Sequence, residues 1–387
     1  MSVETITLGC RLNFAESETI ARSADAGEDW VVVNSCAVTN EAVRQTRQVI
    51  RRVHRQRPLA KILVTGCASE LEPDSFATMA GVSKLVGNLN KLSSLAANDV
   101  MPPVPSGFLG HVRSFVAIQT GCDHRCTFCS IWQARGPSRS LPFEGIRDSV
   151  AREIDRGAKE IVLTGVDITD YEGGLGALCH KLLAAEPRLE RLRLSSLDSF
   201  EIDPALFEIA ADPRLMPHFH LSLQAGDDLI LKRMKRRHSR ADAVRTVERI
   251  KKVRPDATIG ADLIAGFPTE TEHMALNSLK LLEDCDVIAA HIFPFSPRPN
   301  TPAARMPQVA PHVVKARAAR LREAAAARRE RWLETEIGSK RPVLIENNSK
   351  GHTDSFAPVT IKDSGRGDTG VARITGRERD MLLAVWA

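Results

Sequence analysis

The sequence predicts an α/β protein in three parts: an N-terminal parallel α/β sheet domain over 1–100, a central partial (β/α) barrel over 108–335, and a small C-terminal β-barrel over 336–387. Three observations lead there. Short apolar runs bounded by turn residues alternate with helix-length stretches through most of the chain. A proline-containing connector, Met101-Pro102-Pro103-Val104-Pro105-Ser106-Gly107, interrupts that alternation once. The tail then changes to short strands separated by Gly, Asn and Asp turns.

At 387 residues, 43% hydrophobic and 26% charged, the chain has the composition of a soluble globular protein with two or three domains. Its first residues carry no basic segment followed by an apolar core, and no apolar run reaches bilayer length, so neither a signal peptide nor a membrane span is expected. A cytoplasmic location follows as an expectation. Eight cysteines over this length are too sparse for a disulfide scaffold, and a net charge of +5 does not by itself indicate nucleic acid.

Taken in order, Thr5–Leu8, Trp30–Asn34 and Lys61–Thr65 read as strands, each followed closely by a cysteine: Cys10, Cys36 and Cys67. Ligands of open parallel sheets bind beyond the carboxyl ends of the strands, so three cysteines placed alike could converge there as a second metal site. Glu41–Arg57 is a helix with a basic stripe that includes Arg44, Arg47 and Arg51, either a solvated face or a phosphate-contacting one. Strands at Ser114–Gln119, Glu160–Thr164, Arg191–Ser195, His218–Ser222, Thr258–Ile264 and Val287–Phe293 form the (β/α) series. Lys315–Glu336 reads as an ordinary exposed linker helix. In the tail, Pro342–Glu346, Asp354–Lys362, Gly370–Thr375 and Met381–Trp386 are strands. Cys179 and Cys285 fall in helical stretches and read as core residues.

Chemistry concentrates in Gly121-Cys122-Asp123-His124-Arg125-Cys126-Thr127-Phe128-Cys129, directly after the first barrel strand, where barrel sites form. CxxxCxxC spacing favours an iron–sulfur cluster; zinc is the alternative and would want a fourth ligand, with His124 inside the loop. Three thiolates on a [4Fe–4S] cube leave one iron open to a small molecule.

That loop, with Phe128 before its last cysteine, resembles the radical S-adenosylmethionine (SAM) superfamily. The resemblance narrows to the methylthiotransferase family through Thr7-Leu8-Gly9-Cys10-Arg11-Leu12-Asn13 with Glu16-Ser17-Glu18, Val33-Asn34-Ser35-Cys36-Ala37-Val38-Thr39, Gly66-Cys67, and Ala134-Arg135-Gly136-Pro137-Ser138-Arg139-Ser140. Leu221-Ser222-Leu223-Gln224-Ala225-Gly226, Asp262–Glu272 and Phe293-Pro294-Phe295-Ser296-Pro297-Arg298 complete it, so the likeness runs over nearly the whole chain. It is most similar to the branch that methylthiolates carbon 2 of N6-threonylcarbamoyladenosine beside the tRNA anticodon.

The resemblance implies that Cys122, Cys126 and Cys129 hold a SAM-binding [4Fe–4S] cluster and that Cys10, Cys36 and Cys67 hold an auxiliary one. It implies radical removal of an adenine hydrogen that no side-chain base could take, then sulfur delivery from the auxiliary cluster. Gly165, Ser195, Gln224, Arg236 and Asp262, at or near strand ends, are candidates to line the SAM or substrate pocket. Arg44, Arg47, Arg51, Arg135 and Arg139 are candidate RNA contacts, with Arg135 and Arg139 also placed to meet the SAM carboxylate. The tail resembles the RNA-binding TRAM module. Expected partners are the anticodon stem–loop, an electron donor such as a flavodoxin or ferredoxin, and a sulfur donor, acting on a monomer. Competing readings are an isopentenyladenosine substrate, a ribosomal-protein aspartate, or a cluster-bearing RNA-binding or redox-sensing protein without enzymatic activity.

Overall fold

A computed structural model of the chain describes residues 3–24, 28–95, 104–107, 111–200 and 202–387. The Met101–Pro103 part of the expected connector lies outside the described residues.

The N-terminal unit is a four-stranded parallel sheet in chain order, Glu4–Thr7, Trp30–Ser35, Lys61–Gly66 and Val82–Leu85. The second and third strands are buried almost throughout, which is why they read as continuous apolar runs. Their register pairs Asn34 with Thr65 and Ser35 with Gly66, so Cys36 and Cys67 leave the sheet at the same level. The basic helix, Asn40–Gln56, buries Val43, Thr46, Ile50 and Val53 at helical spacing and turns its arginines outward. Thr39 caps it, accepting from the Ala42 amide at 3.1 Å.

Six parallel strands then follow one another around a partial barrel: Arg113–Ala117, Glu160–Thr164, Leu192–Leu194, His218–Gln224, Thr258–Ala265 and Val287–Pro294. The third and fourth are joined by isolated bridges, Leu192 to Leu215 and Leu197 to Leu221. All six expected strands are present, with one correction. The first stops at Ala117, and Gln119–Thr120 pairs instead with Arg139–Ser140 across the cysteine loop. A second correction concerns the long helix, Pro311–Thr335. It buries Ala318, Leu321 and Ala325 in the barrel core, so it is a layer of the fold rather than a linker.

The tail closes into a five-stranded barrel of Lys340–Asn347, Lys350–Thr353, Pro358–Ile361, Thr369–Glu378 and Met381–Trp386. Its 353–356 loop plugs the amino-terminal end of the larger barrel. Phe356 stacks between His218 and His352 at centroid distances of 5.4 and 4.6 Å, under the guanidinium groups of Arg113 and Arg193. Arg113 bridges to Glu346 at 2.6 Å, and the Thr258 hydroxyl donates to the Ser355 carbonyl at 3.0 Å. Among the described residues no helix is long and apolar enough to cross a membrane.

Beneath the plug, Glu160 receives Arg113, Arg191 and Arg193. Burial alone would raise its carboxyl, but the charges of Arg193, Arg113 and Arg191 outweigh this and hold it well below the usual range. A depressed folded-state pKa contributes stability in full above the unfolded value of about 4.3, and that contribution is lost as pH falls. The urea midpoint is therefore expected to drop further between neutral pH and about pH 3 for the native chain than for Glu160→Gln. Equal drops would contradict this.

Candidate iron–sulfur site between two domains

The first cysteine triad sits at the sheet's carboxyl edge. Gly9 makes it possible: its φ is +93°, and a Cβ there would lie 2.6 Å from both Cβ and Sγ of Cys36. Gly9→Ala is accordingly expected to halve the iron bound per chain, from about eight to about four, with Cys122, Cys126 and Cys129 still loaded. Full iron in that variant would contradict the assignment. Cys36 and Cys67 are buried, whereas Cys10 keeps accessible surface. Burial pushes the Cys36 thiol up to about 11.

The second triad occupies the loop after the first barrel strand. Gly121 has φ +79°, and a Cβ would fall 1.8 Å from the Pro137 carbonyl oxygen, so only glycine turns the chain here. The loop is pinned by Thr127, whose amide donates to the Met234 carbonyl at 3.1 Å and whose hydroxyl donates to that of Arg233 at 2.8 Å. Phe128 packs edge-on against Phe267 at 6.5 Å. The Ile131 amide donates to Cys129 Sγ at 3.3 Å; burial pushes that thiol up to about 11 and raises Cys122 as well. His124 is turned toward Asp167, with Nε2 3.1 Å from Oδ2.

A short helix, Ile131–Arg135, joins the two sites. Ala134 and Ile131 pack into the N-terminal core, and Arg135 donates Nε to Cys67 Sγ at 3.4 Å. Its Nη1 meets Glu16 Oε1 at 2.5 Å, its Nη2 bonds Asn13, and Lys91 completes the buried cluster on Glu16. Arg135, at the end of the short helix that follows Cys129, reaches Cys67, so this helix ties the two triads together. Arg298 crosses from the barrel to bond Asn40, and its charge reaches Cys36.

The other anticipated residues divide. Arg236 bonds the Asp198 carboxylate at 2.6 Å and the Ser222 carbonyl at 2.9 Å, and reaches Cys126 Sγ at 3.8 Å, which puts it against the loop triad. Gln224 ends its strand at φ +66° beside a register shift, a strained placement of the kind found at sites. Ser195 and Gly165 are at strand ends; a Cβ on Gly165 would come within 2.9 Å of Gln119, whose side chain accepts from the Val166 and Asp167 amides. Asp262 lies in the barrel lumen, where its Oδ1 accepts from His220 at 2.9 Å and His291 at 3.1 Å. Cys179 and Cys285 are in the core, as expected.

Arg135 is a correction: it is buried and committed to Glu16, Asn13 and Cys67, so it cannot meet RNA. Arg44 is exposed but paired with Glu41, and Arg47 bonds Glu72 and Ser75 over the Phe76 ring. Arg51 lines an open cleft of about 1060 Å³ with Arg52, His54 and Arg55, and Arg139 is exposed beside the cysteine loop. The pattern did not single out Lys91, Asp198, His220 or His291.

Residues 116–282 match the radical SAM superfamily, the class that the barrel and its cysteine loop define, and residues 2–87 match the uncharacterized protein family UPF0004. The solved radical S-adenosylmethionine methyltransferase TsrM of Kitasatospora setae shares the fold at a TM-score of 0.56 and 14% identity, covering 75% of this chain and 66% of its own. The chain is 42% identical to the threonylcarbamoyladenosine tRNA methylthiotransferase MtaB of Rickettsia prowazekii, over 99% of this chain and 97% of that protein. To MtaB of Thermotoga maritima it is 34% identical, over 89% and 86%. The chain belongs to the threonylcarbamoyladenosine tRNA methylthiotransferase family of these relatives.

Proposed function

We propose that this protein converts N6-threonylcarbamoyladenosine at position 37 of tRNA to its 2-methylthio derivative, using SAM and two [4Fe–4S] clusters. The observation that carries the reading is the pair of three-cysteine sets, one at the carboxyl edge of the sheet and one in the loop after the first barrel strand, linked by the Ile131–Arg135 helix. The residues fit the clusters. Each set has three cysteines, and the remaining two of the chain are in the core. A single zinc ion would hold its sulfurs about 3.8 Å apart. Among the described residues, however, the set of ligand atoms gathered within 4.8 Å is His220, Asp262 and His291, neither triad. Amide and guanidinium donors to sulfur, from Ile131, Arg135 and Arg236, supply the outer-shell bonds that such centres use.

In this reading Cys122, Cys126 and Cys129 hold the SAM-binding cluster and Cys10, Cys36 and Cys67 the auxiliary one. When bound, these groups supply the radical and methylated-sulfur chemistry that an aromatic C–H requires. The chain's own residues bind and enclose. Arg135 and Arg236 offset thiolate charge, Gln224 and Ser195 border the upper lumen, and the sheet domain, spanning 1–100, lids the barrel domain, 108–335, against water. The 336–387 barrel and the Arg51 cleft serve the anticodon stem–loop, Arg139 its approach to the loop. A monomer in the cytoplasm, drawing on separate electron and sulfur donors, completes the proposal.

Nucleoside analysis of tRNA from a strain lacking the gene tests it. The methylthio form of threonylcarbamoyladenosine should disappear while the unmethylthiolated form accumulates. An unchanged profile would sink the reading.

A further inference from the structure

Arg11 directly follows Cys10 at the start of the helix Arg11–Ser23. Its guanidinium lies over the Phe115 ring, 5.8 Å from the centroid, and Phe14 packs edge-on against the same ring at 5.4 Å. Phe115 shares a face of its strand with Arg113, the face opposite Ser114 and Val116, which are buried against the outer layer. Arg11 therefore reaches from the N-terminal domain into the barrel lumen.

The other guanidinium groups there are committed. Arg113 holds Glu160 and Glu346; Arg193 holds Glu160 and the Asp354 carbonyl. The nearby Asp262 carboxylate already takes two imidazoles on one oxygen. Among the described residues nothing hydrogen-bonds or ion-pairs with Arg11. Behind it Arg193, 2% exposed, leaves its Nη1 without a partner. Arg11 is exposed, so its guanidinium is open to an incoming ligand, and the planar guanidinium fork matches a carboxylate.

We propose that Arg11 is the specificity-determining residue for the N6 substituent, pairing with the threonyl carboxylate inside the lumen. An isopentenyl substituent has no charge to offer it. This rests on the substrate reading above and adds the residue that enforces it.

The test uses cluster-loaded enzyme and two anticodon stem–loops, one carrying the threonylcarbamoyl acid and one its methyl ester. The native enzyme is expected to prefer the acid by ~10- to 100-fold in kcat/KM, the range of a charge-assisted bond. Arg11→Gln should lose that factor on the acid, mostly through KM, and treat both substrates alike at native iron content. Arg11→Lys should keep a preference for the acid, and it decides the matter if the glutamine variant binds less iron. An Arg11→Gln enzyme that still prefers the acid, or an Arg11→Lys enzyme that does not, overturns the proposal. A native enzyme that modifies neither stem–loop overturns the substrate reading instead.

Discussion

Alanine at Cys126 is expected to abolish SAM cleavage and methylthiolation together, whereas alanine at Cys67 abolishes methylthiolation and leaves reductive SAM cleavage in place. Both losses should exceed the ~10- to 100-fold typical of outer-shell changes at metal sites, because a ligand itself is removed. Each variant should retain about four irons, from the opposite triad. The split follows from the proposed roles of the two triads. Cys126 lies in the barrel loop against Arg236, and Cys67 lies at the sheet edge against Arg135. Assaying 5′-deoxyadenosine and methylthio-nucleoside side by side separates the two roles, and a Cys67→Ala enzyme unable to cleave SAM would contradict the division.

The second large effect is on stability. Arg135→Met leaves Glu16 buried with Lys91 alone and removes one of the ties between the domains. Breaking a buried ion pair from one side costs ~3–5 kcal/mol, against about 0.5 kcal/mol or less for an exposed change such as Arg55→Met. Burial alone would raise the Glu16 carboxyl, but Arg135 and Lys91 outweigh it and lower its pKa. The contribution is thus complete above about pH 4.3 and fades as pH falls, so native and Arg135→Met proteins should converge in urea midpoint on acidification. A constant gap would argue that Glu16 is not the group involved.

Much of this was legible in the chain. Val31–Val33 and Ile62–Val64 are uninterrupted because both faces of the sheet are covered, and that same pattern located Cys36 and Cys67 at matching strand ends. The barrel strands announced themselves in the same way. Val82–Leu85 did not: an edge strand with Ser83 and Lys84 exposed has no apolar period to read. Nor did the strand break after Ala117, which pairing across the loop imposes. An arginine's sequence context does not say whether it meets solvent, so Arg135 looked like a phosphate contact although Glu16, over a hundred positions away, claims it. Arg11 was visible only as part of a motif; its lack of a partner emerges when Phe14, Phe115 and Arg113 come together.

The central claim is that sulfur held at one triad reaches an adenine carbon presented to the other. The most direct test is mass spectrometry of the nucleoside formed when reduced, anaerobically reconstituted enzyme is given SAM and threonylcarbamoyladenosine-containing tRNA. The account expects a methylthio group at carbon 2 of that nucleoside. Recovery of the unmodified nucleoside from enzyme that holds both clusters and cleaves SAM would contradict it.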